Sequence, residues 1–214
     1  LMLQEQGVDL SQIMITPQNR GSENRFPLSF SQQRLWFLDR LEPDSYLYNI
    51  NTAVKISGNL NVKALERTIN EIIRRHEVLR TQFTENGGEP LQVIRPELVI
   101  PLHETDLSGL QETDRTTVLN EHLLNESRKP FNLDSDALIR MHLFRLKPSE
   151  SVFFLSVHHI VSDNWSTGLL VNEILHIYSA FSNDKEHHMP DLPVQYADYS
   201  AWQRKWLSEI GRAS

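Results

Sequence analysis

The chain has 214 residues, no cysteine and a formal charge of −7 from 21 basic and 28 acidic side chains. The missing thiols exclude disulfides, thiolate catalysis and zinc–thiolate sites, and the acidic balance removes the bulk attraction that nucleic-acid binding relies on. No apolar run approaches the roughly 20 residues that cross a bilayer, and no basic segment leads into an apolar core as a secretory signal would, so the expectation is a cytoplasmic protein with neither nucleic acid nor membrane as partner.

Residues 1–25 mix polar and apolar side chains, with Pro17, Gly21, Ser22 and Asn24 near their end, and read as a linker or arm. Order begins near Pro27. Leu35, Trp36, Leu38 and Leu41 recur at helical spacing over 31–41, before Pro43. Residues 48–56 alternate as a strand does, and Gly58-Asn59 turns the chain. Over 61–79, Leu65, Ile69, Ile72, Ile73 and Leu79 form one apolar helix face. Arg74, Arg75 and Arg80 cluster at its end, where the helix dipole favours cations. Strands at 81–84 and 91–94 flank Asn86-Gly87-Gly88, a hairpin turn.

A helix is expected over 110–127, ahead of Pro130. Strands follow at 138–146 and 152–158, joined by Lys147-Pro148-Ser149-Glu150. A helix over 167–181 comes next, and after Pro190 and Pro193 the aromatic stretch 196–206 reads as another helix. Interleaved helices and strands place the chain in the α/β or α+β class with a mixed sheet. The large aromatic residues Trp36, Tyr196, Tyr199 and Trp202 read as core packing.

The chemistry concentrates where the apolar run Val152-Phe153-Phe154-Leu155-Ser156-Val157 ends in His158-His159-Ile160-Val161-Ser162-Asp163. An imidazole titrates near neutrality, so it can take and return a proton. A hydrogen-bonded structural histidine is the commonest use of such a residue, and a metal ligand is a third role. Adjacent strand residues point to opposite faces, so a single ion would reach at most one of the two rings. Asn164-Trp165-Ser166 fits a glycosylation sequon, which has no meaning without export.

Four stretches stand in a fixed order: Ser29-Phe30-Ser31-Gln32-Gln33-Arg34-Leu35-Trp36-Phe37-Leu38, Arg75-His76-Glu77-Val78-Leu79-Arg80-Thr81-Gln82-Phe83, His158 through Ser166, and Tyr196-Ala197-Asp198-Tyr199-Ser200-Ala201-Trp202. Together they resemble the opening motifs of condensation domains of nonribosomal peptide synthetases, and the resemblance covers roughly residues 26–206. It implies an α/β (α+β) sandwich similar to a chloramphenicol acetyltransferase lobe, with a mixed β-sheet packed by helices. Such domains have two lobes that meet at an active-site tunnel. The later motifs have no match here, so the chain is expected to divide into a linker at 1–25, the N-terminal lobe at 26–210 and a vector-derived tail at 211–214.

The resemblance implies amide bond formation between a donor acyl or peptidyl thioester and the amine of an acceptor aminoacyl thioester. His159 takes the active-site position, as a base or as a group that orients the amine. His158 is assigned a supporting hydrogen bond, and Asp163 a structural ion pair with Arg75 or, second, Arg80. Asn164 stands where the family usually has Gly, beside Trp165 and Ser166 of the same motif. The domain itself is expected to bind no cofactor and no metal. Its substrates ride on the phosphopantetheine of donor and acceptor peptidyl carrier proteins, and its other partners are the second lobe and an adjacent adenylation domain. The isolated lobe is expected to be inactive. The competing readings are a carrier-docking scaffold without catalysis, and an epimerisation domain or related His-dependent acyltransferase.

Overall fold

The computed structural model describes residues 14–21 and 24–213, with the side chains of 164–167 and 209–213 outside that description. The chain runs β1 (Arg25–Pro27), α1 (Phe30–Leu41), β2 (Asn49–Ser57), α2 (Val62–Arg75), a 3-10 turn (Glu77–Arg80), β3 (Thr81–Asn86), β4 (Glu89–Ile94) and β5 (His103–Asp106). It continues with α3 (Glu112–Ser127), β6 (Ile139–Lys147), β7 (Glu150–His158), α4 (Asn164–Ser182) and α5 (Tyr196–Ala213). The described strands form two sheets. One has the order β1-β4-β3, and the other, β2-β7-β6-β5, is mixed because β5 runs parallel to β6 while the other pairs are antiparallel. A mixed sheet packed by helices is the α/β arrangement expected from the sequence.

The local chemistry of each element accounts for its limits. Ser29 caps α1 through a reciprocal pair: its hydroxyl accepts from the Gln32 amide, and the Gln32 side chain accepts from the Ser29 amide. Asn61 caps α2 by accepting from the Ala64 amide. The β3–β4 hairpin turns at Gly87 (φ 62°) and Gly88 (φ 89°), and two successive positive φ values are what a tight hairpin of this hand requires.

The larger four-stranded sheet is covered on both faces. Ile139, Met141 and Leu143 of β6 and Phe153 and Val157 of β7 pack with Leu65, Ile69, Ile72 and Ile73 of α2 and Ile177 and Phe181 of α4. On the other face Phe144, Leu146, Val152 and Phe154 meet Val118, Leu119 and Leu123 of α3. A central strand with two covered faces needs apolar residues at both parities, and this is why 152–157 reads as a nearly unbroken apolar run.

The helix expected over 61–79 stops at Arg75. His76 is extended (φ −103°, ψ 97°), and its amide donates to the Ile72 carbonyl as a cap. In a continuous helix residue 76 would fall one turn beyond Ile72, inside the apolar stripe. The break lifts the imidazole out of that stripe. The 3-10 turn then returns Leu79 to the core, where it is 1% exposed.

Two strands escape the sequence patterns. β1 is three residues long, and β5 (His103-Glu104-Thr105-Asp106) carries no apolar alternation. Part of the expected linker is docked rather than free of the domain. Arg20 makes two hydrogen bonds to the fully buried Asp198 of α5 (2.6 and 3.1 Å) and lies 2.9 Å from Glu77, while the Gln18 amide donates to Asp198.

Phe83 is fully buried in the main core. Phe83→Ala should lower the unfolding free energy by about 3–5 kcal/mol, through lost burial and the cavity left behind. Urea denaturation of the purified chain checks this, and an unchanged midpoint contradicts it.

Candidate active site

The site is built at the end of β7. Val157 faces the α2–α4 side and pairs across the sheet with Ile50 and Ile139. His158, the next residue, turns its ring the other way. It is 1% exposed, edge-on to Phe131 and beside Tyr48. Its Nδ1 accepts from the Ile160 amide at 3.1 Å, so the proton of the neutral ring sits on Nε2. Burial, with the charge of His159 as a lesser cause, pushes His158 down to about 4. It is a neutral structural ring at physiological pH.

His159 is exposed, and its amide donates to the Tyr48 carbonyl at 2.8 Å. Its side chain lines a cavity of about 380 Å³. Ser31 and Gln32 of α1, His76 and Leu79 beside the α2 break, Asp163 before α4, and Gln195 and Tyr196 at the start of α5 line the same space. All four sequence motifs therefore converge on one cavity. A second, more apolar cavity of about 420 Å³ lies between the sheet and α2 and α4, and shares Leu79, Ser162 and Leu170 with the first.

The expected ion pair of Arg75 with Asp163 is not the one the structure makes. The Arg75 guanidinium is buried, and its Nε donates to Glu173 of α4 at 3.1 Å. Its remaining donors reach the carbonyls of Met189 and Pro190. The carboxylate within reach of this buried cation is set by the packing of α4, which sequence spacing does not show. The second choice, Arg80, donates to the Arg95 carbonyl and lies 3.7 Å from Glu77. Asp163 is exposed on the cavity wall. Asn164 opens α4, and its side chain, like those of Trp165 and Ser166, lies outside the described residues.

Glu173 and His76 were not singled out by the sequence. His76 Nε2 lies 3.1 Å from the same Glu173 oxygen that accepts from Arg75. Burial pushes the Glu173 carboxyl up, but the His76 and Arg75 contacts outweigh it and hold it below the usual carboxylate range. The signal that pointed to His76 was its place in the second motif; Glu173 had none. Tyr196 departs from its expected core role. It is 37% exposed on the cavity wall, and its hydroxyl lies 3.1 Å from Ser29 Oγ. Tyr199 and Trp202 continue an aromatic ladder along α5 that ends with Trp206.

Comparison with known proteins places these features in a family. The model described as "Condensation domain" matches residues 22–211. The chain is 44% identical over 199 residues to a component of the linear gramicidin synthase of Brevibacillus parabrevis, covering 93% of this chain and 4% of that protein. It is 39% identical to phosphinothricin tripeptide synthetase PhsC of Streptomyces viridochromogenes, covering 90% of this chain and 18% of that one. The X-domain from teicoplanin biosynthesis superposes with a TM-score of 0.81 at 26% identity, over 92% of this chain and 41% of that one. The starter condensation domain of rhizomide synthetase RzmA gives 0.72 at 21% identity, a likeness of fold, over 87% and 45%. The chain belongs to the condensation-domain family of nonribosomal peptide synthetases. It spans less than half of each of these proteins.

The low affinity of His158 for protons has a thermodynamic consequence. The unfolded ring, near 6.5, binds a proton that the native ring refuses until about 4. Acid therefore favours the unfolded chain across that window. The contribution is fully present above about pH 6.5 and declines as pH falls, by on the order of 3 kcal/mol at its foot. His158→Asn keeps an acceptor for the Ile160 amide and does not titrate. Denaturant midpoints measured between about pH 7 and pH 4.5 should fall less for this variant than for the parent chain. Parallel curves would contradict the assignment.

Proposed function

We propose that this chain supplies the His159-bearing lobe of a condensation domain that joins a donor acyl or peptidyl thioester to the amine of an acceptor aminoacyl thioester. The observation that carries the reading is the exposed His159 ring on the wall of the motif-lined cavity, beside a neighbour held neutral and buried. In the reaction the amine nitrogen attacks the thioester carbonyl, a C–N bond forms, the C–S bond breaks, and the amine proton ends on the departing sulfur. His159 is suited to hold the amine in line and to carry that proton. Asp163 and Ser162 have no nucleophilic part.

Both substrates arrive on phosphopantetheine arms of carrier domains, so the lobe itself needs no cofactor. A second lobe closes the channel, an adenylation domain loads the acceptor carrier, and the assembly works in the cytoplasm. Among the described residues no helix is long and apolar enough to cross a membrane.

In a synthetase that contains this lobe, His159→Ala should slow amide formation at least about 100-fold, with the melting temperature unchanged. Mass spectrometry of the product on the acceptor carrier measures the rate. Full activity of the variant would favour a carrier-docking scaffold instead. The 214-residue chain alone should give no turnover with both loaded carriers, because it spans less than half of the solved structures whose fold it shares. Product from that mixture would overturn the half-site reading.

A further inference from the structure

His159 shares its cavity with a second imidazole that the proposed reaction leaves unused. His76 lines the same cavity, with its side chain 20% exposed. Its position is fixed from several directions. The His76 amide caps α2 on the Ile72 carbonyl, and its carbonyl accepts from the Leu79 amide. Gln195 brackets the ring's flanks, donating to the Arg75 carbonyl and accepting from the Glu77 amide. Glu173 then fixes the ring itself. An ionised carboxylate only accepts, so the proton of the Glu173–His76 contact sits on Nε2.

Glu173 has a permanent counter-ion besides this ring. Arg75 pairs with the same oxygen at 3.1 Å. The His76 side chain is not needed for the helix cap, which the backbone supplies. What Glu173 does is choose the tautomer. With Nε2 engaged by Glu173, the ring nitrogen left for a ligand is Nδ1, an acceptor in the neutral ring, and His76 lines the cavity together with apolar Leu35, Val78, Leu192 and Val194 and polar Gln32, Asp163 and Gln195. An acceptor on a cavity wall selects for a ligand that presents a donor.

We propose that His76 is a second substrate-contacting residue of this cavity, its Nδ1 accepting a hydrogen bond from an N–H group, amine or amide, of a pantetheine-borne substrate. The inference rests on the amide-forming reading and adds to it the chemistry that a substrate must present. Glu173 acts through His76 as a positioning residue.

Two measurements test it. The first uses the chain labelled with 15N-histidine. The ring shifts of His76 should report the Nε2–H tautomer, and the Nδ1–H form would overturn the proposal. The second uses the synthetase containing this lobe. His76→Phe keeps a ring without nitrogen, and His76→Asn keeps an acceptor near the δ position. His76→Phe should raise the KM of a carrier-borne substrate about tenfold, the loss of one hydrogen bond, with kcat within about threefold. His76→Asn should recover most of that loss. Equal effects of the two variants, or no change in either KM, would overturn the inference.

Glycyl-pantetheine and unloaded pantetheine, added to the labelled synthetase, separate the two sources of the N–H. A His76 Nδ1 shift with both identifies the amide, a shift with the glycyl form alone identifies the amine, and a shift with neither overturns the contact. The His159→Ala measurement keeps the readings apart. If it abolishes product while both His76 variants are silent, only the present inference falls. If it has no effect, the amide-forming reading falls first.

Discussion

The alternation of side chains at the end of β7 is the constraint on which the site depends. The strand is covered by α2 and α4 on one face and α3 on the other, and its register is held by the backbone ladders to β2 and β6 on either side. A slip by one position would exchange His158 and His159, placing the polar handle in the interior and a buried ring in the cavity. The backbone enforces the same choice. The His158 amide donates to Leu138 and the His159 amide to Tyr48, so neighbouring segments hold the two residues from opposite sides. Burial then removes the charge from the inner ring. One stretch of backbone thus yields a structural imidazole and an accessible one.

Another part of the cavity lining is held by a polar lattice around residues 75–77. Arg75 reaches Glu173 and the 189–190 backbone, Glu77 meets Arg20, and Gln195 bridges both ends of the segment. Such a network is costly to bury unless its members are satisfied. Its burial around a helix break is consistent with a segment that must stay in one conformation. Site and scaffold are therefore joined through two kinds of contact: apolar packing below β7 and hydrogen-bonded charge around the end of α2.

Features governed by local chemistry were readable from sequence. Asn86-Gly87-Gly88 marks a hairpin because only residues tolerant of positive φ make that turn, and the His158–His159 division follows from strand periodicity. The stripe of α2 was readable but misleading at its end. Leu79 keeps the helical spacing from Ile72, so the period alone carries the helix past His76, although a polar ring at a core position argues for a stop. β5 was invisible because its pairing with β6 is parallel, distant in sequence and carried by backbone bonds between polar residues. The partner of Arg75 was missed for a similar reason. Glu173 lies 98 positions away, and only the docking of α4 brings it to the guanidinium.

The docking of Arg20 on Asp198 bears on where such a lobe can be cut. Asp198 carries a wholly buried carboxylate, which burial would push up. The Arg20 side chain and the Gln18 and Gln195 amides hold it below its ordinary value. A version trimmed to begin at Arg25 would lose the guanidinium and the Gln18 amide together, leaving an anion in the interior with only the Gln195 amide of these three to answer it. The stretch ahead of β1 behaves as a counter-ion tethered in cis, and its removal would be felt at Gln195 and Tyr196, far along the chain from the cut.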